Sequence, residues 1–362
     1  MSPRRRPLVT VDVRMLHATG IGTYLRALLP RMIERLSDVR FCFLGDPARL
    51  EREGLLDRER VSVRAFAAGI YSPGEQPGLL FSTPAETRLF WAPHVNAPLA
   101  GPGRLLVTVH DVFYANPPPG AEPRWDKQLY LDLMHRGLRR RASAILCDSE
   151  FTKSELLRLL GPFRSPLHTV PIGIERSWFD RPPGPYPHPA PYLVYVGNLK
   201  PHKNLPRTLA AFAELAERVP HDFLVVGPGD GEPLRRALPA RVAPRVHFLG
   251  VVDDEQLKLT MAHASGLVLA SLYEGFGLPP LEAMALGVPT LVANRASLPE
   301  VCGDAALYCD PESVADIARG LAVLLTDELE RARLIERGRE RAKSFDWDVC
   351  ADRTSAVVRA LL

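Results

Sequence analysis

The chain has 362 residues, 46% of them hydrophobic and 24% charged, with a formal net charge of +3. That length predicts about two domains, with enough core to dispense with disulfides or a structural metal. The five cysteines (Cys42, Cys147, Cys302, Cys309, Cys350) are odd in number and form no CxxC pair. This argues against a disulfide framework and for a reducing, cytoplasmic setting.

In chain order, "MSPRRRPLVTVDV" begins basic but lacks an apolar stretch of signal-peptide length. No run reaches the roughly 18 apolar residues of a membrane span. The apolar run "PLVTVDV" predicts a strand, "HATGIGTY" a glycine turn and "LRALLPRMIERL" a helix. Strands are expected at "RFCFLG", "VSVRAF", "RLLVTV", "SAILCD" and "LHTVPIG", with helices over 124–141 and 150–160. The first of these helices ends in "HRGLRRRA", with Arg136, Arg139, Arg140 and Arg141. This stretch reads either as a solvated helix end or as a contact for an anionic membrane surface or phosphate groups. No nucleic-acid motif accompanies it, so nucleic acid is not an expected partner.

Six prolines between 182 and 191 forbid a helix or central strand, and residues 181–191 read as a linker. Beyond it, "YLVYVG", "FLVVG", "VHFLG", "GLVLAS" and "PTLVA" alternate with helical segments, and "FDWDVCADRTSAVVRALL" reads as an amphipathic terminal helix. Short apolar strands alternating with helices predict an α/β fold of two doubly wound parallel-sheet domains. Ligands of such folds bind at the carboxyl ends of strands, here in an expected cleft between the domains. The expected boundaries are 1–180, the linker 181–191, 192–343, and a terminal helix over 344–362.

Four constellations sit at predicted strand ends. "EGFGLPPLE" places Glu274 and Glu282 around Gly275, Phe276, Gly277 and Leu278. The prolines suit the first turn of a helix, whose free N–H groups would accept an anion or sugar hydroxyls, and Gly287 reads as its C-cap. Carboxylates are good acceptors for paired hydroxyls. "GNLKPHKNLPR" crowds Lys200, His202, Lys203 and Arg207 at a helix start, with Asn204 as the expected cap. Cations are unfavourable there, so a diphosphate is the expected compensation. "VHD" sets His110 to hydrogen-bond a substrate hydroxyl or move a proton. "GIGTY" supplies Gly20 and Gly22, but Leu25 stands where a dinucleotide fingerprint needs its third glycine. His94 is open between structural and acceptor-site roles. The Asp pair of "VVDDEQL" reads as a helix N-cap rather than a metal site.

Together, the E-x7-E of Glu274 and Glu282, "GNLKPHKN", "GIGTY", "VHD" and "FDWDVCA" resemble glycosyltransferase family 4. The resemblance runs nearly the whole chain and is more specific in the second half. It implies a GT-B fold, with an acceptor-binding domain before a nucleotide-sugar-binding one and the terminal helix crossing back to the first. It implies a retaining enzyme with catalytic residues His110, Glu274 and Lys203. Glu282 would bind the donor ribose and Glu274 the hydroxyls of the transferred sugar, near the N–H groups of Phe276, Gly277 and Leu278. Lys203 would bind the diphosphate, His110 would face the donor sugar, and Gly20 and Gly22 would form a loop over the phosphates. Asn198 stands where many members carry Arg, so Lys200, His202 or Arg207 would supply that charge.

"LKPHKN" further resembles bacterial mannosyltransferases of O-antigen and exopolysaccharide assembly, which favours GDP-mannose as donor. The acceptor would be a glycan or lipid-linked glycan. No cofactor or metal is expected beyond the nucleotide-diphosphate sugar, and the enzyme would sit in the cytoplasm, peripherally on the membrane's inner face. A GT-B phosphorylase, a nucleotide-sugar epimerase and a non-catalytic nucleotide-sugar-binding subunit are the alternatives.

Overall fold

The computed structural model describes residues 6–55, 59–115, 117, 125–184 and 188–362. Among these, residues up to 117, 125–173 and 346–362 form one unit, and 174–345 form the other. The units therefore meet in sequence at 173/174 and 345/346. Residues 174–180 and the described part of the proline-rich segment belong to the second unit rather than standing apart from it. Residues 185–187 of that segment lie outside the described residues.

The first unit runs β1 (Leu8–Asp12), α1 (Thr19–Arg35), β2 (Arg40–Gly45), α2 (Pro47–Arg52), β3 (Val61–Ala65), α3 (Glu75–Ser82), β4 (Thr87–Ala92), β5 (Arg104–Val109), α4 (Trp125–Arg141), β6 (Ala144–Cys147), α5 (Glu150–Leu160) and β7 (Leu167–Thr169). Its seven strands pair in parallel in the order β3-β2-β1-β4-β5-β6-β7. β1, β4, β5 and β6 are almost wholly buried, as parallel strands covered on both faces must be. The apolar core joins Leu44, Phe90, Val107, Ile145 and Leu156.

The second unit runs β8 (Tyr192–Val196), α6 (Leu205–Leu215), β9 (Asp222–Val226), α7 (Glu232–Arg236), β10 (Val246–Gly250), α8 (Asp254–Ala262), β11 (Gly266–Leu269), α9 (Leu278–Ala285), β12 (Thr290–Ala293), α10 (Leu298–Cys302), β13 (Leu307–Cys309), α11 (Val314–Thr326) and α12 (Glu328–Ala342). Its six strands are parallel in the order β10-β9-β8-β11-β12-β13.

The last helix, α13 (Trp347–Leu361), belongs to the first unit. Asp346 caps it by accepting from Asp348 N–H. It packs on α1 through buried Trp347, edge-on to Tyr24, and through Arg35, which donates to Asp348 and Asp352.

Two strands escape the sequence reading. β4 lies inside an apolar stretch without alternation, yet occupies the middle of its sheet beside β1. β13 has three residues and gains its place only by pairing with β12. Each sheet also reverses its strand order once, between β1 and β4 and between β8 and β11. Such reversals open a crevice at the carboxyl ends of the strands, and ligands of doubly wound sheets bind there.

Candidate functional site

In the second unit, the loops after β8 and β11 meet at the strand-order reversal. After β8, a short 3-10 turn spans Pro201–Lys203. After β11, residues 270–277 lead into α9. Leu272 N–H donates to the His202 carbonyl at 2.7 Å, tying the loops together. Lys203 Nζ then donates to both carboxylate oxygens of Glu274, each at 2.8 Å. The two side chains are 16% and 11% exposed, so water screens the pair only partly. In the sequence Lys203 has no neighbouring counter-charge, and an anion is the expected compensation. Its counter-charge is instead built in, 71 residues along the chain.

Asn204 occupies the N-cap position of α6, but its side chain does not cap the helix. Its Nδ2 donates to the carbonyls of Ala270 and Pro311, and its Oδ1 accepts from Arg207. The expected cap is thus a cross-brace between loops, reached because Asn204 adopts a left-handed φ of 58°. Asn198 Oδ1 accepts from Lys200 N–H in a local turn. His202 is removed as a source of the missing arginine's charge. Burial, aided by the neighbouring Lys203 cation, pushes its pKa down to about 4, so it is neutral near pH 7. Lys200 and Arg207 remain, both exposed.

The glycine turn before α9 matches the sequence argument closely. Gly277 takes φ 109°, a conformation that penalises any side chain, and caps α9 with no side-chain hydrogen bond. Pro279 and Pro280 fill the first helical turn. Ser297 Oγ–H donates to the carbonyls of Glu274 and Phe276, fixing the turn from behind. Among the described residues, the N–H groups of Phe276, Gly277 and Leu278 have no intramolecular acceptor. Glu282 lies one turn into α9, and its carboxylate is likewise without a hydrogen-bond partner among the described residues. Burial, with the nearby Asp254 carboxylate, pushes its pKa up to about 8. Asp253, the first of the Asp pair, caps α8 by accepting from Gln256 N–H.

In the first unit, His110 follows β5 and Asp148 follows β6. His110 Nδ1 is 2.6 Å from Asp148 Oδ2, and its Nε2 is 2.9 Å from the Pro93 carbonyl. Both neighbours are acceptors, so this environment favours a ring that carries hydrogen on both nitrogens. Burial alone would lower its pKa. The Asp148 charge and hydrogen bond, with the Pro93 carbonyl, outweigh burial and raise it. Tyr24 closes over the ring edge-on, 4.9 Å between centroids.

His94 is buried in a separate network. Its Nδ1 accepts from Asn96 N–H, and its Nε2 lies 3.3 Å from Asp12 Oδ2. Arg14 bridges Asp12 and Glu75, and Tyr130 O–H also donates to Glu75. Burial would raise the Asp12 pKa, but His94 and Arg14 hold it well below the usual carboxylate range.

Gly20 and Gly22 lie in the first turn of α1 rather than on a loop before it. A Cβ at Gly22 would stand 2.5 Å from the Leu16 carbonyl oxygen, so close packing alone demands glycine there. No such contact restricts Gly20. Asp148, Ser297 and the Asp12–Arg14–Glu75 network were not singled out from sequence. Asp148 carries the same signal as His110, a polar residue at the end of an apolar strand. Ser297 carries none.

A family model described as Glycosyl transferases group 1 matches residues 177–341, and one described as Glycosyltransferase Family 4 matches residues 18–178. The O-antigen chain mannosyltransferase B of Escherichia coli is 32% identical over 265 residues, covering 69% of this chain and 69% of that protein. Among solved structures, sucrose-phosphate synthase from Thermosynechococcus elongatus superposes with a TM-score of 0.78 at 20% identity, covering 98% of this chain and 99% of that one. Anabaena Alr3699/HepE in complex with UDP-glucose gives 0.76 at 15% identity, covering 98% and 99%. These likenesses show the GT-B fold over nearly the whole chain.

Proposed function

This chain belongs to glycosyltransferase family 4, and from that premise we propose that it is a retaining mannosyltransferase, carrying mannose from GDP-mannose to a glycan or lipid-linked glycan. The observation that carries the reading is the juxtaposition at the second unit's strand-order reversal. Lys203 and Glu274 are paired there, next to a helix start with open N–H groups and a Glu282 carboxylate that makes no hydrogen bond. A diphosphate, a sugar and a ribose are the ligands this set of cation, donors and carboxylates would take. The mannosyl group and an O-antigen-like acceptor rest on the E. coli mannosyltransferase relative. A nucleotide-sugar donor is in keeping with the UDP-glucose bound by HepE.

Each residue then has a role. Glu282 accepts from the ribose hydroxyls, and Glu274 from hydroxyls of the transferred sugar. Lys203 and the N–H groups of residues 276–278 neutralise the diphosphate as charge builds on its leaving oxygen. Arg207 and Lys200 are the remaining sources of positive charge, and at the start of α1 only Gly20 has open space where a side chain would stand. His110, its two ring nitrogens held by Asp148 and the Pro93 carbonyl, faces the donor sugar as a fixed, positively biased group and not as a base. The acceptor oxygen bonds to the anomeric carbon as the bond from that carbon to the phosphate oxygen breaks. The acceptor proton passes to the leaving phosphate oxygen. The lysine clamp makes a divalent metal and any further cofactor unnecessary for turnover.

Contact with an anionic membrane is part of the proposal. On α4, Trp125, Leu129 and Leu133 recur every four residues and are 78%, 65% and 49% exposed. Arg136, Arg139 and Arg140 are exposed farther along the same helix, whereas Arg141 is tied to the Pro98 and Gly101 carbonyls. An exposed apolar stripe with arginines suits a helix lying in a lipid surface. Among the described residues, no helix is long and apolar enough to cross a membrane.

The test is a thermal-shift panel of nucleotide sugars, followed by transfer assays in excess EDTA. GDP-mannose should raise the melting temperature most and support transfer to a mannose-terminated acceptor with EDTA present. A larger shift with another nucleotide sugar would replace the donor. Loss of turnover in EDTA with recovery on adding magnesium would overturn the metal-independent mechanism.

A further inference from the structure

The opposite edge of the second sheet brings together three side chains of metal-ligand type. His188 precedes β8, Asp222 opens β9 and His247 is the second residue of β10. They become neighbours because β9 lies between β8 and β10, with Tyr192 beside Asp222 and Val246 beside Phe223. The Nε2 atoms of His188 and His247 each lie 2.9 Å from the same oxygen, Asp222 Oδ2. One ligand atom from each residue falls within 4.8 Å of the others. The two imidazole planes stand 76° apart, with centroids 5.0 Å from each other. Arg245 Nε approaches the other carboxylate oxygen, Oδ1, at 3.4 Å and also donates to the carbonyls of Ala216, Val219 and His221. That anchorage fixes the rotation of the carboxylate and leaves Oδ2 to the histidines.

We propose that His188, Asp222 and His247 form a three-ligand site for a late first-row divalent ion, zinc foremost, with water completing the coordination. Two imidazoles and one carboxylate suit zinc and its neighbours, whereas magnesium and calcium prefer all-oxygen sets. Tetrahedral bonds of about 2.0–2.2 Å place ligand atoms about 3.3 Å apart. The two 2.9 Å contacts need open by only about 0.4 Å, which small side-chain rotations supply. Each ring then presents its Nε2 lone pair and keeps its proton on Nδ1. Arg245 opposes a dication here, so the site is a moderate binder rather than a permanent cage.

The consequence is structural. β8 is five residues long, so this edge lies about 16 Å along the strands from the loop that carries Lys203. The ion would fasten the end of the proline-rich segment to β9 and β10 and leave the transfer chemistry untouched. It is therefore distinct from a metal on the donor diphosphate.

The full-length protein, stripped with EDTA and dialysed, would be titrated with zinc against a chromophoric chelator and with cobalt by visible absorption. The expected result is one zinc per chain and cobalt bands of a tetrahedral nitrogen–oxygen site. The melting temperature should rise about 5 °C at hundredfold excess over Kd. His188→Gln, which lies outside the strands, and His247→Gln should each weaken binding at least tenfold and remove most of that rise. Turnover of the wild type should be equal with and without the ion. Absence of stoichiometric binding by the wild type, or a zinc-dependent rise that persists in both variants, overturns the proposal.

Discussion

The strand ends of the two units are furnished in opposite ways. In the first, polar groups are closed on one another: His110 has acceptors at both ring nitrogens, and Asp12, Arg14, Glu75 and His94 form a buried network. In the second, Lys203 and Glu274 are matched, but the Glu282 carboxylate and the N–H groups of residues 276–278 have no hydrogen-bond partner among the described residues. A saturated group has little to gain from a ligand, so it serves to hold geometry and charge. An open group inside a protected turn recovers its lost hydration only when a ligand arrives. Ligand binding energy is therefore expected mainly from the second unit.

The strongest way to break this contrast is Lys203→Ala. Removing one preorganised cation should lower the single-turnover rate by about 10²–10³-fold. It should also destabilise the unliganded protein by roughly 2 kcal/mol, because Glu274 is left largely buried without its partner. The double variant Lys203→Ala/Glu274→Gln should regain most of that stability and none of the rate. A Lys203→Ala protein that melts at the wild-type temperature would show the pair to be energetically idle.

Glu282→Ala should weaken nucleotide-sugar binding by roughly 10- to 150-fold in calorimetry, the worth of hydrogen bonds to a charged group. Its titration sharpens the point. The folded pKa of about 8 lies above the unfolded value near 4.5, so the group's contribution to stability is complete below about pH 4.5 and falls as pH rises through about 8. Glu282→Gln should flatten that decline in urea melts. Donor binding to the ionised form should release a proton, seen as calorimetric heats that depend on buffer ionisation. Heats independent of buffer would place the ribose elsewhere.

Asp148→Asn probes the closed side. Turnover should fall about tenfold as the imidazolium loses a charge-assisted hydrogen bond. The His110 pKa is raised by folding, so its stabilising share is complete below about pH 6.5, its unfolded value, and is lost as pH climbs through the folded one. The variant should lose that dependence in melts taken from about pH 6 to 9. An unchanged profile would mean that Asp148 only fills space.

The smallest effect is expected from Arg136, Arg139 and Arg140 changed together to Ser. Binding to vesicles containing anionic lipid should drop several-fold and become less sensitive to salt, whose screening length is about 10 Å at 0.1 M. Turnover on a soluble acceptor should not change. Undiminished sedimentation with vesicles would return these arginines to an ordinary solvated helix end.

The sequence by itself determined the doubly wound class, the parallel sheets, the Gly277 turn, the prolines opening α9 and the Asp253 cap. All are local: a run of buried residues, a φ that only glycine tolerates freely, a missing N–H or a side chain reaching three residues along. Tertiary structure decided the rest. β13 exists through its neighbour, and β4 finds its central place through pairing with β1. Asn204 leaves its cap to brace two loops, and His202 loses its charge to burial. Lys203 looked unmatched because its carboxylate is 71 residues away, and the three ligands at the opposite sheet edge are scattered from 188 to 247. Charge compensation and desolvation depend on distance in space, and a parallel sheet brings together residues that the sequence keeps far apart.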